Sequence, residues 1–185
     1  TEPIPVIVPG LRDAAARHWQ TLLAERLPHA RSLTPMGRDN LALDARIDAL
    51  EDSLHRLGAP VLLVAHSGGC VLVAHWARRT AFAHRVAGAL LATPPTFDRP
   101  LPPAYPQLDA LAAAGWLPVP HRRLPFPSLV AASRNDPLGD FAAVCRLARQ
   151  WGSEIEDLGE VGHLNPASGF GPWPLAETLI QRLMD

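Results

Sequence analysis

A chain of 185 residues, 48% hydrophobic and 19% charged, has the length and composition of one folded domain, not of a disordered segment. Its 17 basic residues nearly balance its 18 acidic ones, leaving no electrostatic footprint for nucleic acid or an anionic membrane surface. With no signal-peptide pattern at its start, no run of about 20 apolar residues, and two cysteines (Cys70 and Cys145) spaced for neither zinc nor a redox pair, it reads as a cytoplasmic chain with free thiols.

Short apolar runs alternate with longer amphipathic segments. Residues 4–8 read as a buried strand ended by Pro9-Gly10, and residues 13–27 as a helix with Asp13 as its N-cap. A weaker strand is predicted over residues 30–35. A helix follows over residues 40–57, its apolar face built from Leu41, Leu43, Ile47, Leu50, Leu54 and Leu57 and stopped by Gly58. Residues 61–65 are apolar at every position, as in a parallel strand covered on both faces. Further strands are predicted at residues 86–92, 128–132 and 154–158, with helices at 69–80, 138–151 and 174–184. This succession predicts βαβ units in a single α/β domain over residues 1–185, its sheet mostly parallel with helices on both faces. Residues 93–127 interrupt the rhythm. Half of the chain's 20 prolines lie there, which restricts regular structure to a short helix at 107–115 and marks the segment as a loop insertion near a functional site.

The most informative stretch is Val64-Ala65-His66-Ser67-Gly68-Gly69, in which a buried strand runs into a helix through a tight turn with Ser67 at its apex. This is the context of a nucleophile elbow, with Ala65 in place of the first glycine of G-x-S-x-G. A serine hydroxyl needs a base, and the order serine, acid, histidine points to Asp136 in the turn after residues 128–132 and to His163 after the last strand. Asp140 is the rival acid but falls within the predicted helix; His66 is placed behind the elbow. The expected oxyanion donors are the backbone amides of Gly68 and Leu11. Phe97, Leu101, Tyr105 and Trp116 of the proline-rich segment are expected to wall the substrate pocket, with no arginine assigned to it. Trp19, Phe170 and Trp173 are read as structural.

The segments VPGLRD (8–13), HWQ (18–20), VAHSGG (64–69), SRNDP (133–137) and GHLNPASGFGPWP (162–174) make the chain resemble the YdeN family of small α/β-hydrolases, related to retinoblastoma-binding protein 9. The resemblance implies a minimal hydrolase fold with no separate cap domain and a Ser67, Asp136, His163 triad. The expected function is a carboxylesterase-like serine hydrolase acting on a small to medium ester, thioester or activated amide through an acyl-enzyme, with no cofactor and no metal. The alternative is a protein-interaction module on the same fold. A monomer or weak homodimer is the expected state.

Overall fold

The computed structural model describes residues 1–13 and 15–185. Six strands form one sheet in the order β2-β1-β3-β4-β5-β6, every neighbouring pair parallel: β1 (Ile4–Val8), β2 (Arg31–Ser32), β3 (Val61–His66), β4 (Val86–Ala92), β5 (Ser128–Ala132) and β6 (Glu154–Asp157). Every residue of β3 and β5 is buried, which explains why their sequences show no alternation. The sheet grows outward in both directions from the β1/β3 pair. A right-handed crossover that reverses direction must place its helix on the opposite face. Accordingly α1 (Trp19–Arg26), which joins β1 to β2, packs on one face together with α6 (Leu175–Met184). The other face holds α2 (Leu43–Leu57), α3 (Gly68–Ala77), α4 (Leu108–Ala113) and α5 (Phe141–Trp151). The point where strand order reverses is where an open parallel sheet leaves a crevice beyond its carboxyl edge. Here the loops after β1 and β3 open into that crevice.

Local chemistry accounts for the element ends. Leu43, Ile47, Leu50 and Leu54 are buried along one face of α2, each worth about 2 kcal/mol of transfer free energy. Gly58 then takes the left-handed conformation, and its amide closes the helix on the Leu54 carbonyl. The helix begins at Leu43 and not at residue 40, because the Asn40 side chain accepts from the Ala42 amide in a turn. Asp140 is the N-cap of α5, accepting from the Ala143 amide at 3.1 Å, so it stands before the helix and is committed to the cap.

The largest departure from expectation concerns α1. Of the predicted helix over residues 13–27, residue 14 lies outside the described residues, and the helix itself starts only at Trp19, with His18 as N-cap. Asp13 is not its N-cap. It sits at φ 58°, and its carboxylate accepts instead from the amides of Met36 and Gly37. The weak strand at 30–35 shortens to the exposed Arg31–Ser32. At the other edge, β6 is half-exposed and acidic; Arg182 bonds Glu154 and Glu156, and Arg134 bonds Asp157. Among the described residues no helix is long and apolar enough to cross a membrane.

Candidate active site

Ser67 links β3 to α3 with φ 56° and ψ −127°, a strained conformation for a residue with a β-carbon. The turn is held on all sides. The Ser67 amide donates to the Ala92 carbonyl at the end of β4, and the Ser67 carbonyl accepts from Cys70. A β-carbon on Gly69 would stand 2.5 Å from the Val8 carbonyl oxygen and 2.7 Å from that of Pro9, so only glycine lets the helix start pass the end of β1. On Gly68 it would stand 2.7 Å from Leu11 Cγ. Ala65, by contrast, lies within the sheet beside Val8 and Leu91, where a methyl group is ordinary core, which is why the first glycine of the pattern is dispensable here.

Three side chains from three loops converge on this turn. Ser67 Oγ lies 2.7 Å from His163 Nε2, and His163 Nδ1 lies 2.9 and 3.1 Å from the two Asp136 carboxylate oxygens. The carboxylate requires a proton on Nδ1, which leaves the Nε2 lone pair to accept from the serine hydroxyl. All three residues are buried. Asp136 Oδ1 also accepts from the Leu138 amide at 2.9 Å, which fixes the carboxylate. The acid turn and the base turn are stitched together: Asn135 Oδ1 accepts from the Gly162 amide, Ser133 Oγ from the Val161 amide, and the Arg134 amide donates to the Gly159 carbonyl. Gly162 is at φ 59°, and a β-carbon there would meet Ser168 at 2.6 Å. Ser168 in turn forms a reciprocal capping box with Asn165 just beyond His163.

A second chain of hydrogen bonds supports the histidine from behind. The Gln20 amide donates to His18 Nδ1, so His18 carries its proton on Nε2 and donates to His66 Nδ1 at 3.2 Å. His66 therefore holds its own proton on Nε2, which donates at 2.8 Å to the His163 carbonyl. Every ring nitrogen in this line has one role, and both imidazoles are neutral. Burial, with His163 nearby, lowers the His18 pKa to about 4, and burial pushes that of His66 well below the ordinary value. The Gln20 side chain donates to both the Val8 and Val64 carbonyls, tying β1 to β3 at the crevice. Trp19, between them, packs edge-on against Trp173 at 4.7 Å, a structural use. The sequence marks His18 and Gln20 only as part of the HWQ segment of the family resemblance and assigns neither of them a role.

A cavity of about 240 Å³ opens over Ser67. Phe97, Leu101 and Tyr105 of the 93–127 segment line it, as do Leu11, Gly68 and Leu138. Trp116 does not. Its ring is fully buried in the core, edge-on to His75 of α3, with Nε1 donating to the Leu41 carbonyl and its own carbonyl accepting from His75. The cavity also has two arginines in its lining, Arg12 and Arg38, which revises the picture of a site free of positive charge. Among the described residues neither the Leu11 nor the Gly68 amide has a protein acceptor. The Leu11 carbonyl is held by Arg46, a buried residue of α2 whose guanidinium also donates to the Asn40 and Gly37 carbonyls. Cys70, beneath the elbow, is buried and its thiol pKa is pushed well up, so it has no thiolate character. Among the described residues no group of three or more histidine, cysteine or acidic side chains is arranged to hold a metal ion.

Known proteins share this chain's family and fold. The family model described as serine hydrolase matches residues 5–182. Among solved structures, a protein from Pectobacterium atrosepticum described as a YdeN-like hydrolase is 32% identical, with 98% of this chain and 89% of that one covered at a TM-score of 0.77. The ydeN gene product of Bacillus subtilis is 22% identical, with 98% of each chain covered and the same TM-score. A thermophilic esterase from Thermogutta terrifontis shares the fold at 18% identity and a TM-score of 0.65, with 99% and 88% covered. No curated protein matches.

Proposed function

Because the chain belongs to the serine hydrolase family, among its YdeN-like small α/β-hydrolases, we propose that it cleaves a small to medium ester, thioester or activated amide by way of an acyl-enzyme on Ser67. The observation that carries this reading is the unbroken line of hydrogen bonds from Ser67 Oγ through His163 to Asp136. As Ser67 attacks the scissile carbonyl, its proton passes to His163 Nε2, and the Asp136 carboxylate stabilises the imidazolium that forms. The same proton then goes to the leaving alcohol, thiol or amine. Water, deprotonated by His163, attacks the acyl-enzyme; the acid leaves and Ser67 recovers its proton. The Leu11 and Gly68 amides are the donors proposed for the oxyanion, each worth about 3 kcal/mol of transition-state stabilisation. All of these groups belong to the protein. Free buried cysteines are in keeping with a reducing, cytoplasmic setting.

The test is intact-mass labelling with a neutral alkyl fluorophosphonate. One adduct per chain is expected for the unmodified protein, and none for Ser67→Ala or His163→Ala. A folded, unlabelled protein would overturn the hydrolase reading in favour of an interaction module.

A further inference from the structure

The cavity over Ser67 is apolar on the side of the 93–127 segment, where Phe97, Leu101 and Tyr105 line it, yet it takes in the side chain of Arg12. Among the described residues Arg12 forms no ion pair and no hydrogen bond, and its Nε is buried without an acceptor. Its neighbour in sequence, Asp13, directs its carboxylate to the Met36 and Gly37 amides. Four surface arginines, Arg26, Arg79, Arg134 and Arg182, each meet a carboxylate instead. A donor nitrogen buried without an acceptor is costly, so a half-buried guanidinium with no bonded partner beside a cavity calls for one from solution.

Position makes that partner part of the reaction site. The Arg12 guanidinium lies over the Tyr105 ring, 5.0 Å from its centroid. The same ring stands edge-on to His163, at 89° and 6.1 Å between centroids. Arg12 also follows Leu11 directly in the loop that closes on the elbow. The stacking fixes the plane of the guanidinium, and a guanidinium with a fixed plane is a two-pronged donor. A planar, singly charged carboxylate matches that donor with two parallel hydrogen bonds.

We propose that Arg12 forms an anion subsite within the reaction cavity and that the preferred substrate is an ester, thioester or amide with a free carboxylate a few carbons from the scissile bond. The proposal rests on the hydrolase reading, since it assigns a place to one group of that site's substrate. Arg38, in the same lining, adds a second, more exposed positive charge without a bonded partner among the described residues.

Binding can be separated from turnover. With Ser67→Ala protein, isothermal titration calorimetry compares monoethyl glutarate, an anion, with neutral diethyl glutarate. The half-ester is expected to bind about tenfold more tightly, the scale of one charge-assisted pair. Ser67→Ala/Arg12→Gln should bring the two within about threefold, with Ser67→Ala/Arg12→Lys between them, because a lysine keeps the charge but loses the planar edge. Raising NaCl from about 20 to about 300 mM should narrow the preference in the arginine protein only. Equal affinity for the two esters in Ser67→Ala, or a preference that survives Arg12→Gln, overturns the subsite. The fluorophosphonate experiment reports on the serine independently: labelling without anion preference rejects only the subsite, and anion preference without labelling rejects only the hydrolase reading.

Discussion

Two chain segments meet at the cavity, and opposite forces hold them. The elbow, from β3 through Ser67 into α3, is packed into place: residues 61–76 are all buried, and side-chain hydrogen bonds contribute little until His66. The segment after β1, by contrast, is tied by polar groups. Arg46 grips the Leu11 carbonyl, Asp13 bonds the amides of residues 36 and 37, and Gln20 joins the Val8 and Val64 carbonyls. Packing tolerates no added volume, whereas a polar tie tolerates no lost partner. The site therefore has one wall sensitive to gain of atoms and another sensitive to loss of them.

The largest effect should come from the elbow's own hydroxyl. Ser67→Ala is expected to lower kcat/KM on a chromogenic ester by about 10⁴-fold or more without lowering the urea midpoint, since the group removed serves chemistry and not packing. Next is Gly69→Ala, which forces a methyl group against two backbone carbonyls that cannot swing away. It should cost about 3 kcal/mol in urea unfolding, and a loss under about 0.5 kcal/mol would mean that elbow and β1 are less tightly apposed than described. On the polar wall, Arg46→Met keeps most of the side-chain volume but strands the Leu11, Gly37 and Asn40 carbonyls. About 2 kcal/mol of stability should be lost. Amide exchange should rise at residues 10–13 while residues 61–77 stay protected; uniform loosening of both would erase the contrast.

The last effect is one of pH, and it is gradual. His18 is depressed to about 4 when folded, so the unfolded chain binds the extra proton between that value and an ordinary histidine pKa. Its contribution is complete above about pH 6.5 and is lost as the pH falls toward 4, at no more than about 1.4 kcal/mol per pH unit. His66, shifted in the same direction, adds to the slope. His18→Gln should flatten the fall in urea midpoint between pH 7 and 5; an unchanged slope would show that the histidine line does not titrate on unfolding.

The same contrast explains what could be read in advance. The packed wall was legible: β1, β4 and β5 fall on their predicted residues, because continuous apolar runs have few other uses. Chain order was enough to pick Asp136 and His163 as the partners of Ser67, and the structure brings the three together. The polar wall was not legible. A buried Gln20 or Arg46 looks like any surface residue until its carbonyl partners, 12 to 44 positions away for Gln20, are placed beside it. The helix drawn back to Asp13 failed for that reason: its carboxylate is used by amides 23 and 24 residues on. Trp116 and Tyr105 belong to one proline-rich segment and have similar chemistry, yet one ring enters the core and the other the cavity. What separates them is the Leu41 carbonyl waiting for an indole N–H.

The two margins of the sheet have a consequence for how the molecule behaves in a crowd. On one side the terminal strand is only two residues long, Arg31–Ser32. On the other, an incoming strand would have to lie against Glu154, Glu156 and Asp157, whose arginine partners already clasp them. A parallel sheet with an interior as apolar as β3 is a natural template for aberrant stacking when its rim is long and plain. Here the rim is curtailed at one end and lined with charged side chains at the other, so a seventh strand from a neighbouring molecule finds neither a long nor a plain edge to join.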